Sequence, residues 1–189
     1  MTKLLVSGCS FTAHRPLEDN IEKRWCDFVA DELNMELVNI AKSGAGNEYI
    51  FTSLYNALRE DNEVKMVIAA WSMADRRDYK VKGHWKNDRV DLRGDYEYHL
   101  DKTQMYKDLL ELVCKHHNVE YRSFQMIELY NRRHPEFSGN FYMGYEDTVQ
   151  YHTIGHRNNG KDPNFISPFN NHPSQVGHKL IGQYIYENL

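Results

Sequence analysis

The stretch VSGCSFT, residues 6–12, sets two reactive side chains, Cys9 and Ser10, directly behind an apolar run and a glycine. A serine hydroxyl or a thiol at such a turn serves acyl transfer when a general base lies within reach and amide donors face the oxyanion that forms. His172, in NNHPSQVGH (residues 170–178), is the candidate base, because it stands just ahead of a helical pattern. SGAGN, residues 43–47, is a glycine-rich loop that opens another helix, where backbone amides point at negative charge. Each of these residues also has a plain structural use. Ser10 suits a helix cap or a turn, Gly44 a positive-φ turn, Asn47 a cap and His172 a surface contact beside Pro173. Cys9 is the rival nucleophile, although a free cysteine more often behaves as a small buried apolar side chain.

The elements that must position these residues are read from apolar periodicity. Residues 3–8, 35–41, 64–71 and 119–126 read as strands, and the third is apolar nearly throughout, as befits a strand covered on both faces. Helices are expected over 20–33, 47–60, 101–117 and 174–188. Their inward stripes are Trp25, Phe28, Val29 and Leu33; Ile50, Leu54, Ala57 and Leu58; Met105, Leu109, Leu112 and Val113; and Val176, Leu180, Ile181, Tyr184 and Ile185. Alternation of strand and helix predicts an α/β fold, a three-layer α/β/α sandwich around a parallel sheet of four to five strands in flavodoxin-like order. The second strand then flanks the first on one side, with the third and fourth on the other. Ligands of such sheets bind beyond the carboxyl ends of the strands, so residues 8–10, 44–47 and 71–72 share one rim. Residues 75–99, highly charged, and 128–170, rich in Asn, Gly, Pro, His and Tyr, interrupt the rhythm and are expected to form walls or a lid.

With 189 residues the chain suffices for one domain. Its 23 Lys and Arg against 27 Asp and Glu give a formal net charge of -4, with no basic cluster beyond paired arginines, so nucleic acid is not an expected partner. Cys9, Cys26 and Cys114 are odd in number and widely spaced, which suggests neither a disulfide framework nor a zinc ribbon. The histidines at 116, 117, 152 and 156 lack the companions that would complete a metal set, and no cofactor is expected. Without an apolar leader or a spanning stretch, a cytoplasmic location with no membrane partner is the expectation.

Taken in chain order, these blocks resemble the SGNH (GDSL-type) hydrolase family. Ser10 in SGCSFT matches the serine of the family's G-D-S block, with Cys9 in the place of the Asp. Asn39 and Gly44 in NIAKSG match the second block, and HPSQVGH matches the last block from His172 onward. More narrowly, G-C-S-F-T, G-x-x-N, W-S and H-P-S-x-x-G-H together are similar to divergent SGNH-like proteins common in tailed phages. The resemblance implies an esterase or deacetylase that needs no cofactor. Ser10 would be the nucleophile, His172 general base and then acid, and the amides of Ser10 and Gly44 the oxyanion donors. It implies an ester substrate, either small or carbohydrate-linked. Two departures stand out. AAWSMADRRD lacks the Asn of the third block, leaving Asn47 or Ser72 to substitute, and the Asp expected three residues before His172 is Phe169. Asn170, Asp147 and Asp162 are the candidate third members. The departures keep two other readings open: a catalytically silent protein that binds a glycan or a protein, and an acyltransferase that uses the same serine.

Overall fold

The computed structural model describes residues 1–14, 21–89, 96–133, 140–143, 146–155, 163–167 and 170–189. Four strands, β1 (Lys3–Gly8), β2 (Glu36–Asn39), β3 (Val64–Trp71) and one beginning at Glu120, form a parallel sheet. Between them run α1 (Trp25–Leu33) and α2 (Asn47–Glu60), then a hairpin of β4 (Arg76–Val81) and β5 (His84–Arg89), then α3 (Tyr96–His116). The chain continues through β6 (Glu120–Gln125), β7 (Tyr130–Arg133), β8 (Asn140–Met143), α4 (Val149–Thr153), β9 (Phe165–Ser167), β10 (Asn170–Pro173) and α5 (Gln175–Glu187). The sheet order is β2-β1-β3-β6, as the alternation of the sequence predicts.

Three layers follow from the side-chain alternation of the central strands. Leu4 and Val6 of β1, with Ile68 and Ala70 of β3, face α1 and α5, where they meet Trp25, Val29, Ile181 and Ile185. Leu5, Val67, Ala69 and Trp71 face α2 and α3, where they meet Ile50, Leu54, Leu58, Tyr106, Leu110 and Cys114. Burial of both faces explains why β1 and β3 lack polar alternation. Two polar groups of β1 and β3 are paired: Ser7 Oγ lies 2.9 Å from Ser53 Oγ, and Trp71 Nε1 donates to Ser123 Oγ at 2.7 Å.

Two helix faces differ from the expected stripes. On α3 the buried side chains are Thr103, Tyr106, Leu110 and Cys114, while Met105, Leu109 and Leu112 are exposed, Leu112 by 62%. Tyr106 sets this rotation, because its ring stacks on Phe51 of α2 with centroids 5.2 Å apart. On α5 Val176 and Leu180 face outward, and Gly177, His178 and Gly182 join Ile181 and Ile185 inside. The reason is the close approach of α1: a methyl at Gly182 would lie 2.9 Å from Phe28 Cβ and 3.0 Å from the Trp25 carbonyl oxygen. A stripe drawn from large apolar residues overlooks glycines chosen for the contact distance.

The charged segment after β3 is a regular hairpin, with Asp78 opposite Asn87 and Val81 opposite His84. Its two-residue turn holds Lys82 at φ 48° and Gly83 at φ 81°, the positive values that match the twist of a tight hairpin.

Candidate active site

The loops after β1, β2 and β3 meet at one rim. Lys42 N–H donates to the Gly8 carbonyl at 3.0 Å, which lays the residue 40–46 loop beside the turn that carries Ser10. That turn is closed by the Cys9 carbonyl, which accepts from Thr12 and Ala13 N–H, each at 2.9 Å. Gly8 is required by close packing, since a methyl there would meet Thr12 Oγ1 at 2.5 Å and Ala70 Cβ at 3.0 Å. Asn39 ties the same turn to the end of β2, donating to the Thr12 carbonyl at 2.8 Å and accepting from Ala41 N–H at 3.0 Å. Cys9 is wholly buried among Leu4, Val6 and Trp25, which removes it from contact with a dissolved substrate. Among the described residues neither the hydroxyl nor the N–H of Ser10 has a hydrogen-bond partner, and the same holds for Gly44 N–H. Gly44 sits at φ +78°, where a side chain would be strained.

His172 lies at the irregular end of the β9–β10 ribbon, whose register shifts between Asn170 and Pro173. Its ring packs on Phe11, the neighbour of Ser10, with centroids 5.7 Å apart. Nδ1 is 2.6 Å from Asn170 Oδ1, and the same oxygen accepts from His172 N–H at 3.0 Å. A backbone N–H can only donate, so the Asn170 atom that faces it is the oxygen. The ring nitrogen beside that oxygen must then carry the hydrogen, so in the neutral ring Nε2 is the nitrogen without one. Asn170 thus fixes the tautomer that a general base needs.

The remaining expected residues are engaged elsewhere. Asn47 is buried and donates both amide hydrogens, to the Ser72 carbonyl and to Thr103 Oγ1, each at 3.1 Å. Its Oδ1 accepts from Ser72 N–H at 2.8 Å. Ser72 is also fully buried, and its hydroxyl accepts from Arg76 Nη1 at 2.8 Å. Asn47, expected as a possible oxyanion donor, has no hydrogen left for it, and with Ser72 it clamps the end of β3 to α2 and α3. Asp147 is exposed ahead of α4, and no hydrogen bond or ion pair joins it to His172. Asp162 and Phe169 lie outside the described residues.

Behind His172, His178 and Arg24 form a buried pair, with Arg24 Nη1 2.9 Å from His178 Nε2. Burial first, then the Arg24 charge, pushes the His178 pKa from 6.5 down to about 3. The neutral ring accepts from the guanidinium. Between about pH 6.5 and 3 the unfolded chain carries a proton here that the folded chain refuses, so acidification destabilises the fold by about 1.4 kcal/mol per pH unit through this residue. The expected result is a shallower loss of unfolding free energy from about pH 6 to about pH 4 in His178→Gln than in the parent, by about that slope. Equal slopes in urea titrations across that window would contradict it.

Among the described residues no cluster of His, Cys, Asp and Glu could hold a metal ion, and no helix is long and apolar enough to cross a membrane. Neither a protein-family model nor a curated protein matches the sequence. Solved structures do match. The psychrotrophic esterase EstA from Pseudoalteromonas sp., in a structure inhibited by monoethylphosphonate, superposes with a TM-score of 0.61 at 20% identity, over 99% of this chain and 96% of that one. TesA superposes with a TM-score of 0.64 at 14% identity, over 100% of this chain and 98% of that one. With the sheet order, the helices on both faces and a near end-to-end superposition agreeing, the chain has the α/β/α fold of the SGNH (GDSL-type) hydrolases.

Proposed function

We propose that the protein is a serine ester hydrolase acting on small esters with short acyl groups. Ser10 Oγ attacks the ester carbonyl carbon as His172 Nε2 takes its proton, and the negative oxygen that forms is held by the N–H groups of Ser10 and Gly44. The C–O bond to the alcohol then breaks, the alcohol leaves with the proton from His172, and water, activated by the same nitrogen, releases the acid and frees Ser10. What supports this reading is a Ser10 hydroxyl without a partner among the described residues, next in sequence to the Phe11 ring that packs on His172, together with the Asn170 oxygen that faces His172 Nδ1. The esterase structure of like fold supports the same class of substrate.

A second reading, a binding protein built on a silenced site, draws on the amide of Asn170 where a carboxylate would be expected. An amide orients the ring but does not stabilise the imidazolium, so hydrolysis should be slow for this fold. Turnover of p-nitrophenyl acetate separates the two. The hydrolase reading expects turnover above background that Ser10→Ala brings to the uncatalysed rate. Identical rates for the two proteins would favour the binding reading.

A further inference from the structure

We propose that Asn87, on the β4–β5 hairpin, donates its side-chain amide to the oxyanion and so completes a three-donor site with the N–H groups of Ser10 and Gly44. The inference rests on the hydrolase reading above and adds a catalytic residue to it. An oxyanion formed at a serine carbonyl adduct is best held by two or three donors fixed beforehand. The side chains at the end of β3 are committed elsewhere: Asn47 and Ser72 hold each other, and Gln125 Nε2 donates to the carbonyls of Ser72 and Ile127, each at 2.9 Å. The hairpin that follows β3 brings a fresh amide to the rim.

Its docking is specific. The Asp78 carboxylate accepts from Gly46 N–H at 3.0 Å and Tyr49 N–H at 2.8 Å, Arg76 Nη1 donates to the Ala45 carbonyl at 2.9 Å, and the Lys42 ammonium donates to the Trp85 carbonyl. Asn87 pairs across the ribbon with Asp78, so both side chains leave the same face, toward this loop. A methyl built on Gly44 would lie 3.1 Å from Asn87 Nδ2, 3.4 Å from Oδ1 and 3.6 Å from Cγ. The amide therefore rests against the glycine whose own N–H has no partner among the described residues. Asn87 is exposed and makes no side-chain hydrogen bond to any described residue, so both of its amide hydrogens are available to a ligand. An amide suits this role because it donates without adding negative charge where negative charge develops.

The test compares the parent protein with Asn87→Ala and with Asn87→Asp, which keeps the size and removes the donor. With p-nitrophenyl acetate, kcat is expected to fall about 10²–10³-fold in both variants while KM stays within about twofold, because the contact forms only in the transition state. The rate of labelling by a fluorophosphonate, whose phosphoryl oxygen occupies the oxyanion position, should fall by a similar factor. Lys86→Ala, on the opposite face of the hairpin, should leave both rates unchanged, and the melting temperatures of all variants should match the parent, which excludes a folding effect. A kcat within about threefold of the parent, or a change confined to KM, overturns the assignment while the hydrolase reading stands. Absence of Ser10-dependent turnover in the parent overturns both.

Discussion

Replacing His172 with alanine is expected to lower kcat for aryl acetates by about 10⁴-fold, the loss that follows when a serine nucleophile is deprived of its base. The size of the effect comes from the geometry of one ring. Asn170 Oδ1 holds Nδ1–H, the Phe11 ring packs against the imidazole, and Nε2 is the nitrogen proposed to take the proton. His178 cannot stand in, since it is buried and its basicity is suppressed by burial and by Arg24. The change should be nearly silent in stability, because His172 is only half-buried and its backbone hydrogen bond to Asn170 survives. Steady-state kinetics with added imidazole check the cause: alanine leaves room for a free ring, and partial recovery of rate is expected. A kcat within about threefold of the parent would show that another group takes the proton.

Asn170 offers the other large effect, this time in both directions. Substitution by Asp keeps the acceptor oxygen that faces His172 N–H and Nδ1, and adds the charge that stabilises an imidazolium. Hydrogen bonds to charged partners exceed neutral ones by roughly 1–2 kcal/mol, so kcat should rise by about 5–30-fold. Substitution by Leu removes the acceptor altogether, frees the ring to adopt either tautomer, and should lower kcat by about 10²-fold from the parent. The two variants would then differ by about 10³-fold. A pH profile separates charge from mere positioning. A carboxylate beside the ring favours its protonated form, so the acid limb of kcat/KM in Asn170→Asp should move to higher pH than in the parent. A fall in rate for Asn170→Asp, or an unmoved limb, would mean that position 170 does not govern the base.

The sequence carries the fold well because its strongest signals are burial signals. The apolar runs of β1 and β3 report two covered faces, and the order of strands and helices then dictates a parallel sheet with Ser10, Gly44 and Trp71 at one rim. Ser10 and His172 stand out as candidates for a related reason: each lies at the junction of an element and a loop, where the pattern breaks abruptly. The division of labour among polar residues is not legible. Asn47 and Asn87 are both asparagines near the rim, and only the hydrogen-bond network shows that the first is fully engaged with Ser72 and Thr103 while the second is not. The hairpin that carries Asn87 is hard to read because most of its residues are exposed on both faces, so it lacks the apolar alternation that marks a half-buried strand. Its one clear signal is the Lys82–Gly83 pair between two runs of β-compatible length. The partner of His172 stands one position away from the family's three-residue spacing, since β10 is irregular there and a fixed spacing does not survive a register shift.

The central claim is that Ser10 is the nucleophile, and intact-mass spectrometry after incubation with a fluorophosphonate tests it most directly. In that reaction Ser10 Oγ bonds to phosphorus, fluoride leaves and the hydroxyl proton passes to His172. A single phosphonyl adduct per chain is expected, mapped by peptide sequencing to Ser10, absent in Ser10→Ala, retained in Cys9→Ala and formed far more slowly in His172→Ala. A protein that stays unlabelled under conditions that label a known serine esterase, or an adduct that persists in Ser10→Ala, would contradict it.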